Sequence, residues 1–346
     1  MSSARPRRTR LLGAVLMLGT VVGVAVAAAS VSSSATPEGS TAAKPSGSPV
    51  CLVEADGVEH NVKVLSTVTT ELYHKTRSYP GPCAVYGEPV VLGDGRIRTY
   101  AQLDGVRPFS LGFVFGKNAL TNLPTANTDG QHCYDVDGDG TIDEQAECVH
   151  SHDFVLELPQ QFTEQVGGPF TWALLTWDPH GHAPDPVYGL PHFDFHFYIQ
   201  DLAARNAIRT GSGSGEGLIN GDDYATARVP VSDRYRPDGY FDFGAVVSAM
   251  GNHLTDLSSP EFNGNMFTHT FMYGAYNGEI TFYEPMITKA WLAEVTGGKA
   301  DSCTPIKAPA AWKVAGWYPT RYCIEYRKNR EELTVSLTDF AYRPAS

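Results

Sequence analysis

The stretch that decides the fold runs from Trp177 to Ile199, WDPHGHAPDPVYGLPHFDFHFYI. Its second half, PHFDFHFY, alternates strictly, as a β-strand does, because successive side chains point to opposite faces. Phe193, Phe195, Phe197 and Ile199 fall on one face; His192, Asp194, His196 and Tyr198 fall on the other. The phenylalanine face requires a core. The other face is rich in groups that bind metals or move protons, and the whole stretch, with His180 and His182, holds four of the chain's eleven histidines. Alternation alone leaves two fates open for that face, a pocket lining or a solvated side of an antiparallel sheet.

Downstream, Asn277-Gly278 is a two-residue hairpin signal, since both central residues of a type I′ turn need φ > 0. That turn sets Tyr276 opposite Glu279, Tyr273 opposite Phe282 and Phe271 opposite Glu284. One hairpin face then carries His269, Phe271, Tyr273, Ala275, Ile280, Phe282, Glu284 and Met286, and the other carries Thr268, Thr270, Met272, Tyr276, Glu279, Thr281 and Tyr283. The first face is the more apolar, so Glu284 and His269 are expected to point inward together. Between Cys51 and Asp104 the chain reads as short strands broken by turns, with Arg96 to Leu103 the clearest. Pro108 to Phe115, Phe154 to Leu158 and Phe170 to Thr176 also read as strands. A second hairpin, Arg321 to Tyr342, turns at Lys328-Asn329-Arg330. Short helices are expected at Lys117 to Leu123, Leu202 to Ile208 and Phe243 to Met250. The fold class is mainly β: an antiparallel barrel or sandwich with a few short helices, disulfide-bonded.

The chain opens with Arg5, Arg7, Arg8 and Arg10, followed by an uncharged run from Leu11 to Ala29 that ends in small residues. That pattern is a secretory signal peptide over residues 1–29. Residues 30–49 are a flexible Ser/Pro/Ala tether with too few large apolar groups to fold. Residues 50–346 remain as a β-rich secreted domain. Removing the four signal arginines takes the net charge from -12 to -12 - 4 = -16. So acidic a chain is a poor partner for nucleic acid or an anionic membrane, both of which need Lys and Arg to displace counterions.

All six cysteines lie after the signal, and an even count in a secreted chain reads as three disulfides. Local spacing suggests Cys51–Cys83, Cys133–Cys148 and Cys303–Cys323, the middle pair stapling one short loop inserted at 133–148. Within it, Asp135, Asp137, Asp139, Thr141 and Asp143 follow the first nine positions of an EF-hand-type calcium loop, with Gly140 at the sharp turn. Alternating aspartates supply the six to eight oxygens that a hard cation takes. Ala146 stands where the twelfth position calls for a bidentate Glu, leaving Glu144 or Glu147 to substitute. Calcium there would be structural.

The histidine stretch suggests a second kind of site. His192 and His196 are about 13 Å apart at roughly 3.3 Å per residue, too far to share an ion on a straight strand. Neighbours two apart can converge: His180 with His182, His192 with Asp194, or Asp194 with His196. The expected ligands are His182, His192, Asp194 and His196, with His253 a more distant candidate. Nitrogen ligands beside a carboxylate suit zinc or another transition metal acting as a Lewis acid. Glu284, a carboxylate on an apolar face, is the candidate general acid/base; its alternative is a buried ion pair with Lys289 or an arginine. No G-x-S-x-G or H-E-x-x-H occurs, so the common serine-hydrolase and zincin signatures are missing.

Three blocks, GHAPDPVYGLPHFDFHFY, MGNHLTD and FTHTFMYGAYNGEITFYEPMIT, together resemble an uncharacterised family of exported bacterial proteins. It is a domain-of-unknown-function family whose named example is a sigma-E-regulated protein from a thermophile. The resemblance spans Gly105 to Leu292 and maps onto His182, His192, Asp194, His196, His253 and Glu284. It implies a shared fold and site but no reaction, and the Asp-rich loop and the tail after Gly297 lie outside the three blocks that carry it. The expected function is a secreted, metal-dependent binding protein or enzyme acting on a small extracellular molecule through a His/Asp/Glu pocket between the His192 strand and the hairpin. The competing expectation is a non-catalytic envelope or stress-response protein, whose polar strand face would be a homo-oligomer contact.

Overall fold

The computed structural model describes residues 47–346 except residue 216. The signal peptide and most of the tether therefore lie outside the described residues. The tether ends earlier than its composition suggested: Ser48 and Pro49 already belong to the strand Ser48–Val53, pairing with Val64 and Lys63.

Two seven-stranded antiparallel sheets stack as a sandwich; they do not close into a barrel. The first sheet has the spatial order Tyr240–Val247, Gly251–Asp256, His269–Tyr276, Glu279–Thr288, His192–Tyr198, Trp172–Asp178 and His152–Glu157. The second is built on Arg107–Gly116, flanked by Gly95–Asp104 on one side and by the hairpin Arg321–Arg327/Glu332–Thr338 on the other. The phenylalanine face of His192–Tyr198 packs onto this second sheet. Phe195 and Phe197 each meet Phe113 edge-on at 5.2 Å, and Phe195 stacks on Phe115 at 6.2 Å. All three phenylalanines of the strand are buried, each contributing about 1.5–3 kcal/mol of hydrophobic stabilisation. Fifteen of the chain's 38 aromatic residues are buried in this one interior.

The three disulfides are those the spacing suggested: Cys51–Cys83, Cys133–Cys148 and Cys303–Cys323. No helix among the described residues is long and apolar enough to cross a membrane. Two segments differ from expectation. A ten-residue helix, Ser66–Lys75, interrupts the early strands. Phe243 to Met250, expected as a helix, begins inside the edge strand Tyr240–Val247, which bulges between Asp242 and Ala245. Gly244 makes the bulge possible: it sits at φ 77°, and a Cβ there would meet the Arg228 guanidinium at 2.6 Å.

The hairpin register also differs. Tyr276 faces Glu279 as expected, but an extra residue, Thr281, shifts every pair beyond it by one. Tyr273 then faces Tyr283, and Met272 faces Glu284. The cause is local packing. The Phe282 ring lies over Gly274, where a Cβ would come within 2.1 Å of it, while the bulge carbonyl of Thr281 accepts hydrogen bonds from the amides of Ile199 and Gln200. Because side chains alternate with period two, the slip separates Glu284 from His269. His269 stays on the core side, bonded to the Tyr322 hydroxyl at 2.8 Å, and Glu284 goes to the opposite face with the histidines.

That opposite face is buried within the chain. His192 and His196 are 0% exposed, Glu284 2% and Asp194 4%. Two apolar clusters cover its flanks: Tyr188, Phe267, Met272 and Met286 in one, and Trp172, Leu174, Tyr198, Met250 and Phe282 in the other.

Candidate metal centre

The expected single pocket resolves into two groups of ligand-type side chains on the outer face of the first sheet. The first joins Asp178, His182, His192 and Asp194; the second joins His196, His253 and Glu284. In each group the ligand atoms lie within 4.8 Å of one another.

The sheet register assembles the first group. Asp178 is directly opposite His192, and Asp194 lies two residues along on the same face. His182 arrives from the segment between the two strands, where Gly181 turns at φ 73° against the Tyr188 carbonyl, too close for any Cβ. His192 Nε2 is 3.4 Å from Asp194 Oδ1 and 3.8 Å from Asp178 Oδ2, and His182 Nε2 is 3.9 Å from Asp194 Oδ2. The His182 side chain, 36% exposed, is the group's contact with solvent. Asp178 belongs to this group although it was not among the ligands expected from the sequence. His180, an expected alternative partner of His182, is exposed and outside both groups.

The second group is drawn from three strands. On the strand beside His192–Tyr198, Met286 pairs with Asp194 and Tyr283 with Phe197, which brings Glu284 level with His196. His253 reaches in from Gly251–Asp256, opposite Gly274. His196 Nε2 lies 3.4 Å from Glu284 Oε1, and His253 Nε2 lies 3.9 Å from Glu284 Oε2.

The hydrogen bonds around the imidazoles define the chemistry. His182, His192 and His253 each direct Nδ1 at a backbone carbonyl, of Ala183 at 2.7 Å, Leu190 at 2.6 Å and Ala245 at 2.9 Å. A carbonyl only accepts, so Nδ1 carries the proton, and in the neutral ring Nε2 is a lone pair. Burial holds His192, His253 and His196 neutral, pushing His192 down to about 3 and His253 to about 4, with His196 also well below its ordinary value. Their Nε2 atoms face carboxyl oxygens at 3.4–3.9 Å. His192 Nε2, Asp178 Oδ2, Asp194 Oδ1, Glu284 Oε2 and both nitrogens of His196 are buried without a hydrogen-bond partner.

No lysine or arginine among the described residues compensates these carboxylates; their partners within 4 Å are histidines only. The expected alternative for Glu284, an ion pair with Lys289, is not formed, and that ammonium lies over the Trp177 ring instead. Burial raises Asp178, Asp194 and Glu284 well above the usual carboxylate range, and repulsion among the three adds to it. The 3.4 Å separations exceed an ordinary hydrogen bond of about 2.7–3.2 Å. They equal the edge of a tetrahedron, about 3.3 Å, around an ion held at about 2.0–2.1 Å. Carbonyl-oriented imidazoles of this kind are the usual outer support of metal ligands.

The Asp-rich loop is separate. Asp135 accepts the amides of Gly138 and Gly140 at 2.6 and 2.9 Å, and Asp135, Asp137 and Asp139 bring carboxylate oxygens together. Asp143 caps the following turn of helix, Glu144–Glu147, by accepting from Gln145. Both oxygens of Glu147 accept backbone amides, from Val136 at 2.6 Å and Asp143 at 2.9 Å, which ties the end of the loop to its start. Cys133–Cys148 closes the loop at its base.

The chain matches no protein-family model, no curated protein and no solved structure.

Proposed function

We propose that this protein is exported and binds a divalent transition-metal ion of the zinc class through Asp178, His182, His192 and Asp194. One observation carries the reading: in this group the buried His192 Nε2, its ring fixed by the Leu190 carbonyl on the Nδ1 side, and His182 Nε2 face two buried carboxyl groups that no lysine or arginine among the described residues partners. A divalent cation satisfies all four at once, and a mixed nitrogen and oxygen set selects a d-block ion over calcium or magnesium. Four protein ligands fill a tetrahedral shell, the arrangement of a site whose task is to hold the ion. The half-exposed His182 is the ligand able to give way to a small extracellular molecule, which would make the ion a Lewis acid towards it. Three disulfides and the arginine-led apolar start of the chain support an extracytoplasmic setting.

Elemental analysis of the mature protein, wild type beside His182→Ala and His192→Ala, tests this. A transition metal present in the wild type and reduced by about one equivalent in His192→Ala supports the site. Equal metal in all three sinks it.

Calcium at Asp135, Asp137 and Asp139 is a second, independent reading, favoured by the Gly140 amide bonded back to Asp135 across the turn. Its role would be structural, and terbium luminescence lost in Asp135→Ala would support it.

A further inference from the structure

We propose that His196, His253 and Glu284 form a second d-block cation site, so that the protein carries two metal ions along one strand face and Glu284 is a ligand rather than a proton-transfer group. This stands on different residues from the first site and does not require it.

Three observations point the same way. The His196 and His253 Nε2 atoms converge on the two oxygens of one carboxylate, at 3.4 and 3.9 Å. Glu284 Oε2 and both nitrogens of His196 are buried and unpartnered, a costly arrangement unless something binds between them. The only groups within ionic reach of Glu284 among the described residues are those two histidines.

A proton-transfer role fits less well. A general acid/base has to reach a substrate, yet His196 is 0% and Glu284 2% exposed, and the Phe282 ring packs 4.9 Å from His196 and 5.4 Å from His253. Two imidazoles and one carboxylate form a ligand set used by zinc and by ferrous iron, and an all-oxygen preference excludes calcium and magnesium. The two sites also differ in rigidity. Every ligand of the second comes from a strand, whereas His182 of the first comes from an exposed segment. The ion at the second site is therefore the slower to leave.

The test counts ions. The full mature protein is stripped with chelator, reloaded with zinc, desalted and analysed for metal, as wild type, Glu284→Gln, His196→Ala and His192→Ala. Two ions are expected in the wild type and one in each variant. An ion lost in Glu284→Gln and His196→Ala but retained in His192→Ala supports the second site even if the first proves wrong. A count unchanged by Glu284→Gln and His196→Ala overturns the second site, and so does a single ion abolished by His192→Ala as well as by Glu284→Gln, which would mean one shared centre. Should those variants fail to fold, His253→Gln, at the more exposed edge of the group, is counted in their place. An ion lost in it supports the inference, and a count equal to that of the wild type overturns it.

Discussion

Asp194→Asn should change the sign of its effect on stability according to whether metal is present. In the metal-free protein the Asp194 carboxyl is buried among Asp178 and Glu284, and its Oδ1 faces the His192 lone pair at 3.4 Å. An amide is nearly the same size and keeps an N–H donor at every pH, whereas the carboxyl can donate to His192 Nε2 only while protonated and repels Asp178 and Glu284 once ionised. Relieving a buried unsatisfied acceptor is worth about 1–3 kcal/mol, or roughly 2–6 °C in Tm for a domain of this size. The gain depends on pH. Asp194 is raised in the folded state, so folding holds a proton that the unfolded chain releases above about 4. The metal-free wild type therefore loses stability as pH rises from about 4, and the variant does not share that loss. With zinc the order reverses. Saturating the wild type at about a hundred times Kd adds about 2.7 kcal/mol, while the variant has lost a charged ligand and gains less. Differential scanning calorimetry in chelator and in zinc, at several pH values, measures both. The reasoning is refuted if Asp194→Asn is destabilising in chelator, or if zinc raises the Tm of both proteins equally.

Three further outcomes follow from the geometry. Metal uptake should release more protons as pH falls towards the raised range of Asp178, Asp194 and Glu284, because burial favours their protonated forms and they ligate as carboxylates; a calorimetric enthalpy independent of the buffer's ionisation enthalpy at every pH would contradict this. His269, packed against Trp291 and pushed down to about 4 by burial, should stay neutral in NMR titration until well below its ordinary value. The unfolded chain takes up that proton near 6.5, so stability falls as pH drops from about 6.5 to 4, and His269→Phe should flatten that part of the profile. Gly274→Ala should cost about 1–3 kcal/mol, since its Cβ would sit 2.1 Å from the Phe282 ring between paired strands; a Tm within a degree of wild type would show that the ring moves freely.

Local features were readable from the sequence, and features set by distant packing were not. PHFDFHFY announced a strand and its core face because both depend on period two alone. The fate of the histidine face depended on coverage by Tyr188, Phe267, Met250 and other residues from segments with no shared periodicity. Asn277-Gly278 specified the turn and its first two pairs. The slip beyond them came from Phe282 lying over Gly274, a side-chain contact invisible in a turn motif, and it moved Glu284 from the His269 face to the His196 face. Asp178 stood within the decisive stretch. Its role could have been found by folding residues 177–193 as a long hairpin, which sets Asp178 against His192. The cysteine spacings anticipated the disulfides because each pair is local enough to close without knowledge of the fold.

The most direct test of the metal centre is anomalous X-ray diffraction from crystals of the zinc-loaded mature protein, recorded on both sides of the zinc edge. The expected result is a peak bonded to His192 Nε2 at about 2.0–2.1 Å, flanked by Asp178 and Asp194, with a second between His196 and Glu284. No peak on that strand face, in crystals whose zinc content is confirmed in solution, would mean that these carboxylates and imidazoles are held together by protons and not by metal.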